Sequence, residues 1–347
     1  MNDQEYMLQQ VKTVLGIDSP TGYTRNAVDY LVQEYKELGY EPQITRKGGV
    51  LVCVSEGDGS QPDDALQMEA HLDTLGAMVA EVKADGHLRL TPLGGMNANN
   101  AEGENVRVVT RNGKVYTGVC QIKNASVHVN DDYDGVKRSW DTVEVLLDEM
   151  VFTKQETEAL GIMTGDIVCF DPRTTVTASG YIKSRFLDDK LSVGILLGYA
   201  RYLKENNVKT RRKIYQHITV FEEVGHGGAA SIAQEVGEVL SVDMGCVGDG
   251  LACREHQVSI CAKDSGGPYH YEVTSNLIAA AKRAGVDFAV DVYPHYGSDA
   301  EAALRAGWDV KHGLIGAGVY ASHGYERSHV KGMMGTFELL KAYVEEL

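Results

Sequence analysis

The chain has 347 residues, 43% hydrophobic and 24% charged, a globular composition that excludes a disordered or collagen-like chain. Its net charge of −16 opposes phosphate backbones and anionic lipid, so neither nucleic acid nor a membrane is an expected partner. The most apolar stretch, Val193 to Ala200, runs into Arg201 and is far shorter than the ~20 residues of a membrane span. The start Met1-Asn2-Asp3-Gln4-Glu5 is too polar for a secretion signal, so a cytoplasmic protein with buried, unpaired cysteines is expected.

In chain order, Arg25 to Leu38 carries a helical apolar stripe of Val28, Leu31, Val32, Tyr35 and Leu38, stopped by Gly39. Val50 to Ser55 and Ala65 to Asp73 read as strands. From residue 76 to 175 the texture changes to short alternating segments. Val106–Thr110 and Lys114–Val119 flank Asn112-Gly113, which predicts a hairpin with a type I′ turn. Thr142–Leu147 and Asp166–Phe170 predict further strands. After this insert the alternation of helix and strand returns. Asp188–Asn206 is expected to be helical, Lys213–Phe221 a strand, Gly227 to Ile232 a short helix, and Val239–Asp243 a strand. Helices follow over Thr274–Ala284 and from about Gly335 to the end. The expected fold is α/β, a mostly parallel central sheet with flanking helices (residues 1–75 and 176–347), interrupted by a small β domain (residues 76–175).

Ligands of open α/β sheets bind outside the carboxyl ends of the strands. Here the strand ends carry His71-Leu72-Asp73, Glu222-Glu223, Asp243 and the stretch around His323, and Asp188-Asp189 opens a helix. Singly, each has an ordinary reading. An acidic pair at a helix start favours the dipole, a strand ending in Asp is a turn former, and one His-x-Asp occurs by chance. Adjacent carboxylates such as Glu222-Glu223 repel unless cations pair them. Together the set fits two divalent ions ~3.5–4 Å apart, with one bridging carboxylate, end ligands, and a non-ligating Glu as base on a bridging water. Histidine and carboxylate ligands suit zinc, cobalt or manganese.

Six segments, in this order and spacing, resemble the glutamyl-aminopeptidase and tetrahedral-aminopeptidase family, family forty-two of the metallopeptidases. They are Glu69-Ala70-His71-Leu72-Asp73; Tyr181-Ile182-Lys183 with Leu187-Asp188-Asp189-Lys190; Phe221-Glu222-Glu223-Val224-Gly225; Val242-Asp243; Gly297-Ser298-Asp299-Ala300; and Ala321-Ser322-His323. The resemblance implies a zinc-peptidase-like domain with a β-barrel-like insert that covers the site and forms dimers, which in many members assemble to dodecameric shells. It implies that Asp188 bridges two ions, that His71 and Asp243 complete one and Glu223 and His323 the other, that Glu222 is the general base, and that Asp73 orients His71. The implied reaction is removal of N-terminal residues from peptides by metal-activated water.

The chain also departs from the family pattern. His226-Gly227 replaces Leu-Arg, Lys190 stands where Arg is common, and Glu301 follows the Gly-Ser-Asp-Ala segment. Ser298-x-x-Glu301 reads as a capping box, which explains Glu301 locally. His226 reads as structural or a pocket wall. Ser322-His323-Gly324 replaces His-Ser-Pro, so His323 and His329 compete for one ligand place, with His323 favoured. The N-terminal residue preferred is therefore not carried over. The alternatives are a metal-dependent deacylase or blocked-peptide hydrolase, a glucanase as some relatives have been labelled, and a catalytically silent shell-forming paralogue.

Overall fold

The computed structural model describes residues 1–345. It contains two compact units, Met1–Asp73 with Arg173 onward, and Thr74–Pro172.

The first unit is built on a large sheet. At its centre Arg212–Thr219, Gln61–His71, Val236–Val242 and Lys311–Tyr320 run parallel, in that order. Their residues are buried almost without alternation, as strands covered on both faces require. Antiparallel partners flank them: Val50–Ser55 beside Arg212–Thr219, and Val258–Lys263 beside Lys311–Tyr320. The helix Leu187–Glu205 is buried over nearly its whole length and packs on the sheet and on the helices Asp3–Leu15 and Val330–Val344. Its Leu191, Ile195, Leu196, Leu197 and Leu203 leave no polar face in that stretch, which fits a helix enclosed by protein. Parallel pairing sets the carboxyl ends of the four central strands at one end of the sheet. His71, the Phe221–Gly225 turn, Asp243 and the Ala321–Glu326 turn emerge there.

The second unit is a closed antiparallel barrel with neighbours in the order Gly76–Val82, Leu88–Leu93, Val143–Leu147, Val115–Ile122, Asn105–Val109 and Ile167–Phe170. Val79, Leu88, Leu90, Val106, Val108, Val143, Val145 and Val168 form its buried side. Closure removes the exposed strand edges that a six-stranded open sheet would carry.

Several local expectations need correction. The hairpin forms, but Thr110 closes a turn to Gly113 N–H, and Thr110 N–H bonds the Lys114 carbonyl. Only Gly113 takes a positive φ, 82°, so Asn112-Gly113 ends a type I turn with a bulge. Asn112 Oδ1 is already taken by Thr110 Oγ1 at 2.6 Å, which favours this conformation. Gly227–Ala229 makes one 3₁₀ turn where a helix to Ile232 was expected. The last helix starts at Val330 instead of Gly335, and its expected extension over residues 346–347 lies outside the described residues. The helix Asp3–Leu15 was not anticipated, although Asn2 and Glu5 cap each other reciprocally at its start. At Ser298 only half of the capping box forms. Its hydroxyl accepts Glu301 N–H at 3.3 Å, while the Glu301 carboxylate lies 3.5 Å from His312 Nε2.

Candidate metal centre

The segments at the sheet end are held in uncommon backbone conformations. Phe186, Phe221, Ala321 and His323 all have φ between 60° and 69°, and the Asp188–Asp189 peptide is cis. Non-glycine residues seldom take positive φ, and half of the eight that do so among the described residues lie in these segments.

These turns bring together the residues singled out in the sequence. His71 is buried, with Nε2 3.0 Å from Asp188 Oδ1 and 3.6 Å from Glu222 Oε2. Asp188 lies between two histidines, because its other oxygen is 3.6 Å from His323 Nε2. The same His323 nitrogen is 3.5 Å from Glu223 Oε2. Single donor atoms of His71, Asp189 and Asp243 lie within 4.8 Å of one another, as do those of His71, Asp188 and Glu223. His329 is placed elsewhere: Nε2 bonds the Ser179 carbonyl at 2.9 Å and Nδ1 accepts Lys331 N–H. His226 is exposed. A cavity of about 720 Å³ opens on the cluster, bounded by Asp188, Glu222, Glu223, Asp243 and His323 and continued by Tyr296 and Arg305.

Asp73 supports the cluster through both its main chain and its side chain. His71 Nδ1 donates to the main-chain carbonyl of Asp73 at 2.9 Å, whereas its carboxylate is 3.9 Å away. A carbonyl only accepts, so Nδ1 carries a proton, and Nε2 faces the Asp188 and Glu222 carboxylates. Burial opposes a charged ring, but these carboxylates outweigh it, hold the imidazole well above its ordinary value and make Nε2 a donor as well when no metal is bound. The Asp73 carboxylate instead accepts Thr21 Oγ1 at 2.7 Å and the amides of Glu222 and Glu223 at 3.1 and 3.4 Å. Two further acids escaped the sequence reading. Asp189, read as a helix cap, accepts His71 N–H at 3.2 Å. Glu326 accepts the amides of Asp188 and His323, each at 3.1 Å. The one sequence signal for Glu326 was a charged residue opening a strand, Glu326–His329, whose other positions are mostly buried.

The electrostatics describe a site short of positive charge. Burial, then Asp299, Asp243 and Asp188, push the Glu222 carboxyl well above its ordinary range despite His71. Burial and Asp188 do the same to Glu223. Asp243 is pushed up to about 7, chiefly by burial and by Asp188. Asp188 resists its own burial and stays low because His71 bonds it. Buried carboxylates at this density need cations or protons. Glu223 Oε1 and Asp189 Oδ1 are buried with no hydrogen-bond partner, which costs free energy unless something else binds them. Ligand atoms on a tetrahedral ion with bonds of ~2.1 Å lie ~3.4 Å apart. The 3.5 and 3.6 Å gaps around His323 match that spacing and are long for hydrogen bonds. The donor set therefore fits divalent metal ions.

Comparison with known proteins agrees with this architecture. The family described as M42 glutamyl aminopeptidase matches residues 49–339. A putative aminopeptidase of Bacillus subtilis, YhfE, is 42% identical over 97% of this chain and 97% of its own. Among solved structures, an aminopeptidase from Desulfurococcus kamchatkensis superposes with a TM-score of 0.88 at 24% identity, covering 100% of this chain and 96% of the other. The TET1 peptidase of Pyrococcus horikoshii, which can assemble into a tetrahedron or a large octahedral shell, gives 0.85 at 22% identity over 98% and 100%. With most of its length matched by the family and a relative this similar from end to end, the chain belongs to the M42 glutamyl aminopeptidases.

Proposed function

We propose that this aminopeptidase is a dinuclear metalloenzyme that removes N-terminal residues from peptides. The observation that carries the reading is Asp188, with one oxygen toward His71 and the other toward His323. In this assignment His71 and Asp243 hold one ion, Glu223 and His323 the other, and Asp188 both. Zinc or cobalt suits these donors, and manganese is compatible. Two such ions, when bound, lower the pKa of a water and polarise a peptide carbonyl.

Glu222 is the general base in this assignment. It borders the cavity, and Asp73 fixes its main chain. Its Oε2 receives the proton of the attacking water and passes it to the leaving amine. Burial favours the protonated form that the second transfer needs. The carboxylates around the cavity attract the free α-ammonium of the substrate, which gives the preference for an unblocked N-terminus.

The test is hydrolysis of free and N-acetylated aminoacyl and dipeptide substrates after chelation, with and without added zinc or cobalt. Metal-restored cleavage confined to free N-termini is expected. Cleavage of blocked substrates alone would make the protein a deacylase, and none with any metal would make it a silent paralogue.

The proposal includes self-association through the barrel unit into dimers and dodecamers. Met150 and Phe152, on its surface, are 87% and 70% exposed, unusual for large apolar side chains. The shell-forming TET1 peptidase shares the fold. Light scattering that gave the 37.8 kDa monomer at micromolar concentration would overturn this part.

A further inference from the structure

Several main-chain amides around the metal centre bond carboxylates. Asp189 takes the N–H of His71, Asp73 takes those of Glu222 and Glu223, and Asp243 takes that of Met244 through its own side chain. Glu326 differs from these because it joins two segments distant in sequence. One oxygen accepts Asp188 N–H, at the start of a helix, and the other accepts His323 N–H, in the turn after a central strand. Its side chain is 2% exposed. His323 has φ of 65°, a conformation that non-glycine residues seldom adopt. A carboxylate accepting two amides makes charge-assisted bonds of fixed geometry.

We infer that Glu326 is a positioning residue that sets the spacing of Asp188 and His323, and thereby the affinity of the ion these two share with Glu223. The inference rests on the dinuclear reading above. It predicts asymmetry. The ion held by Glu223 and His323 depends on both amides that Glu326 secures, whereas the ion held by His71 and Asp243 depends on only one. His71 has its own supports in the Asp73 carbonyl and the Asp189 carboxylate. Loss of an outer partner of a metal ligand typically lowers affinity ~10–100-fold.

The experiment uses the full chain, stripped of metal and titrated with zinc against a chromophoric chelator, comparing wild type with Glu326→Gln. The amide of Gln replaces one acceptor by a donor, so one of the two N–H groups loses its partner. Wild type is expected to bind two ions. The variant is expected to weaken the ion held by Glu223 and His323 ~10–100-fold and the other ion distinctly less. Thermal unfolding of the metal-free proteins is the companion readout. A merely structural role would lower melting without separating the two affinities. If Glu326→Gln does not fold, Glu326→Asp, one methylene too short to reach both amides, takes its place. Equal weakening of both ions, or two unchanged affinities, overturns the inference. A wild type that binds fewer than two ions overturns the dinuclear reading instead.

Discussion

Glu222 and Glu223 are chemically identical neighbours, and the surroundings separate them. Glu223 faces His323, whereas Glu222 faces His71, and both border the cavity. Glu222→Gln keeps shape and volume but cannot take a proton. It is expected to retain both metal ions while kcat falls ~10²–10⁴-fold or more. Metal content by elemental analysis checks this, and loss of an ion would mean that the two glutamates exchange roles. Behind them, Asp299 accepts Gly228 N–H at 2.6 Å and Thr219 Oγ1 at 2.5 Å. A Cβ on Gly227 would lie 2.1 Å from its Oδ1, so glycine is required there. Burial first, then Glu69, push the Asp299 carboxyl up to about 6 from 3.8. Because the folded value is the higher one, its stabilising effect is complete below pH 3.8 and is lost as pH rises through 6. The full loss is a few kcal/mol, roughly half of it between pH 5 and pH 7.5. Urea unfolding of chelated wild type and Asp299→Asn should show the wild type losing that much relative to the variant over this interval. A pH-independent difference would place the ionisation elsewhere.

At the scale of elements, the buried helix Leu187–Glu205 meets the N-terminal helix through two glycines. A Cβ on Gly194 would lie 2.4 Å from Val11 Cγ2 and 3.2 Å from Val11 N, whereas one on Gly198 would meet only the side chain of the buried Met7, with Cγ at 2.3 Å and Sδ at 2.7 Å. Alanine gains ~1 kcal/mol in helix propensity at either position. Overpacking costs ~1–3 kcal/mol where neighbours cannot yield. Gly198→Ala should therefore cost less than Gly194→Ala, ~0–1 against ~1–2 kcal/mol, because a methionine repacks more readily than a β-branched valine beside a backbone nitrogen, and thermal unfolding of the two variants measures the order. The same pair of helices shows what the sequence made legible. Leu187–Glu205 was anticipated almost to its ends, because its apolar density leaves no alternative. Asp3–Leu15 is not legible because its buried residues Met7, Val11, Val14 and Leu15 are diluted by Gln and Lys, which weakens the apolar stripe. In the site, His71, Asp188, Glu222, Glu223, Asp243 and His323 could be picked out because strand ends concentrate function. Glu326 and the Asp189 contact could not. Asp189 bonds the amide of His71 and Glu326 that of Asp188, each more than a hundred residues away, and no local pattern encodes such contacts, although the second Glu326 bond, to His323, is local.

Across the whole molecule, the proposed metal donors arise from separate strands of one sheet and from a helix start, all within one compact unit, while the barrel encloses a core of its own. Ions that bind the folded site and not the unfolded chain stabilise by ~2.7 kcal/mol per site at one hundred times Kd. Two sites give about 5 kcal/mol, and for a unit of this size each kilocalorie is worth ~2–4 °C in melting temperature. Chelation should thus lower the melting of the sheet unit by roughly 10–20 °C. Its local mark should be more specific than its global one. Without cations the clustered carboxylates repel, and the turns at Phe221–Gly225 and Ala321–Glu326 lose the charges that hold their uncommon backbones. Hydrogen exchange by mass spectrometry should show these turns and the Asp188 segment opening on chelation. The strands Val106–Val109 and Val143–Leu147 of the barrel should keep their protection, since their bonds owe nothing to the ions. Equal acceleration in both units would mean that metal governs the stability of the entire chain, and no change at the sheet end would remove the ions from the residues assigned to hold them.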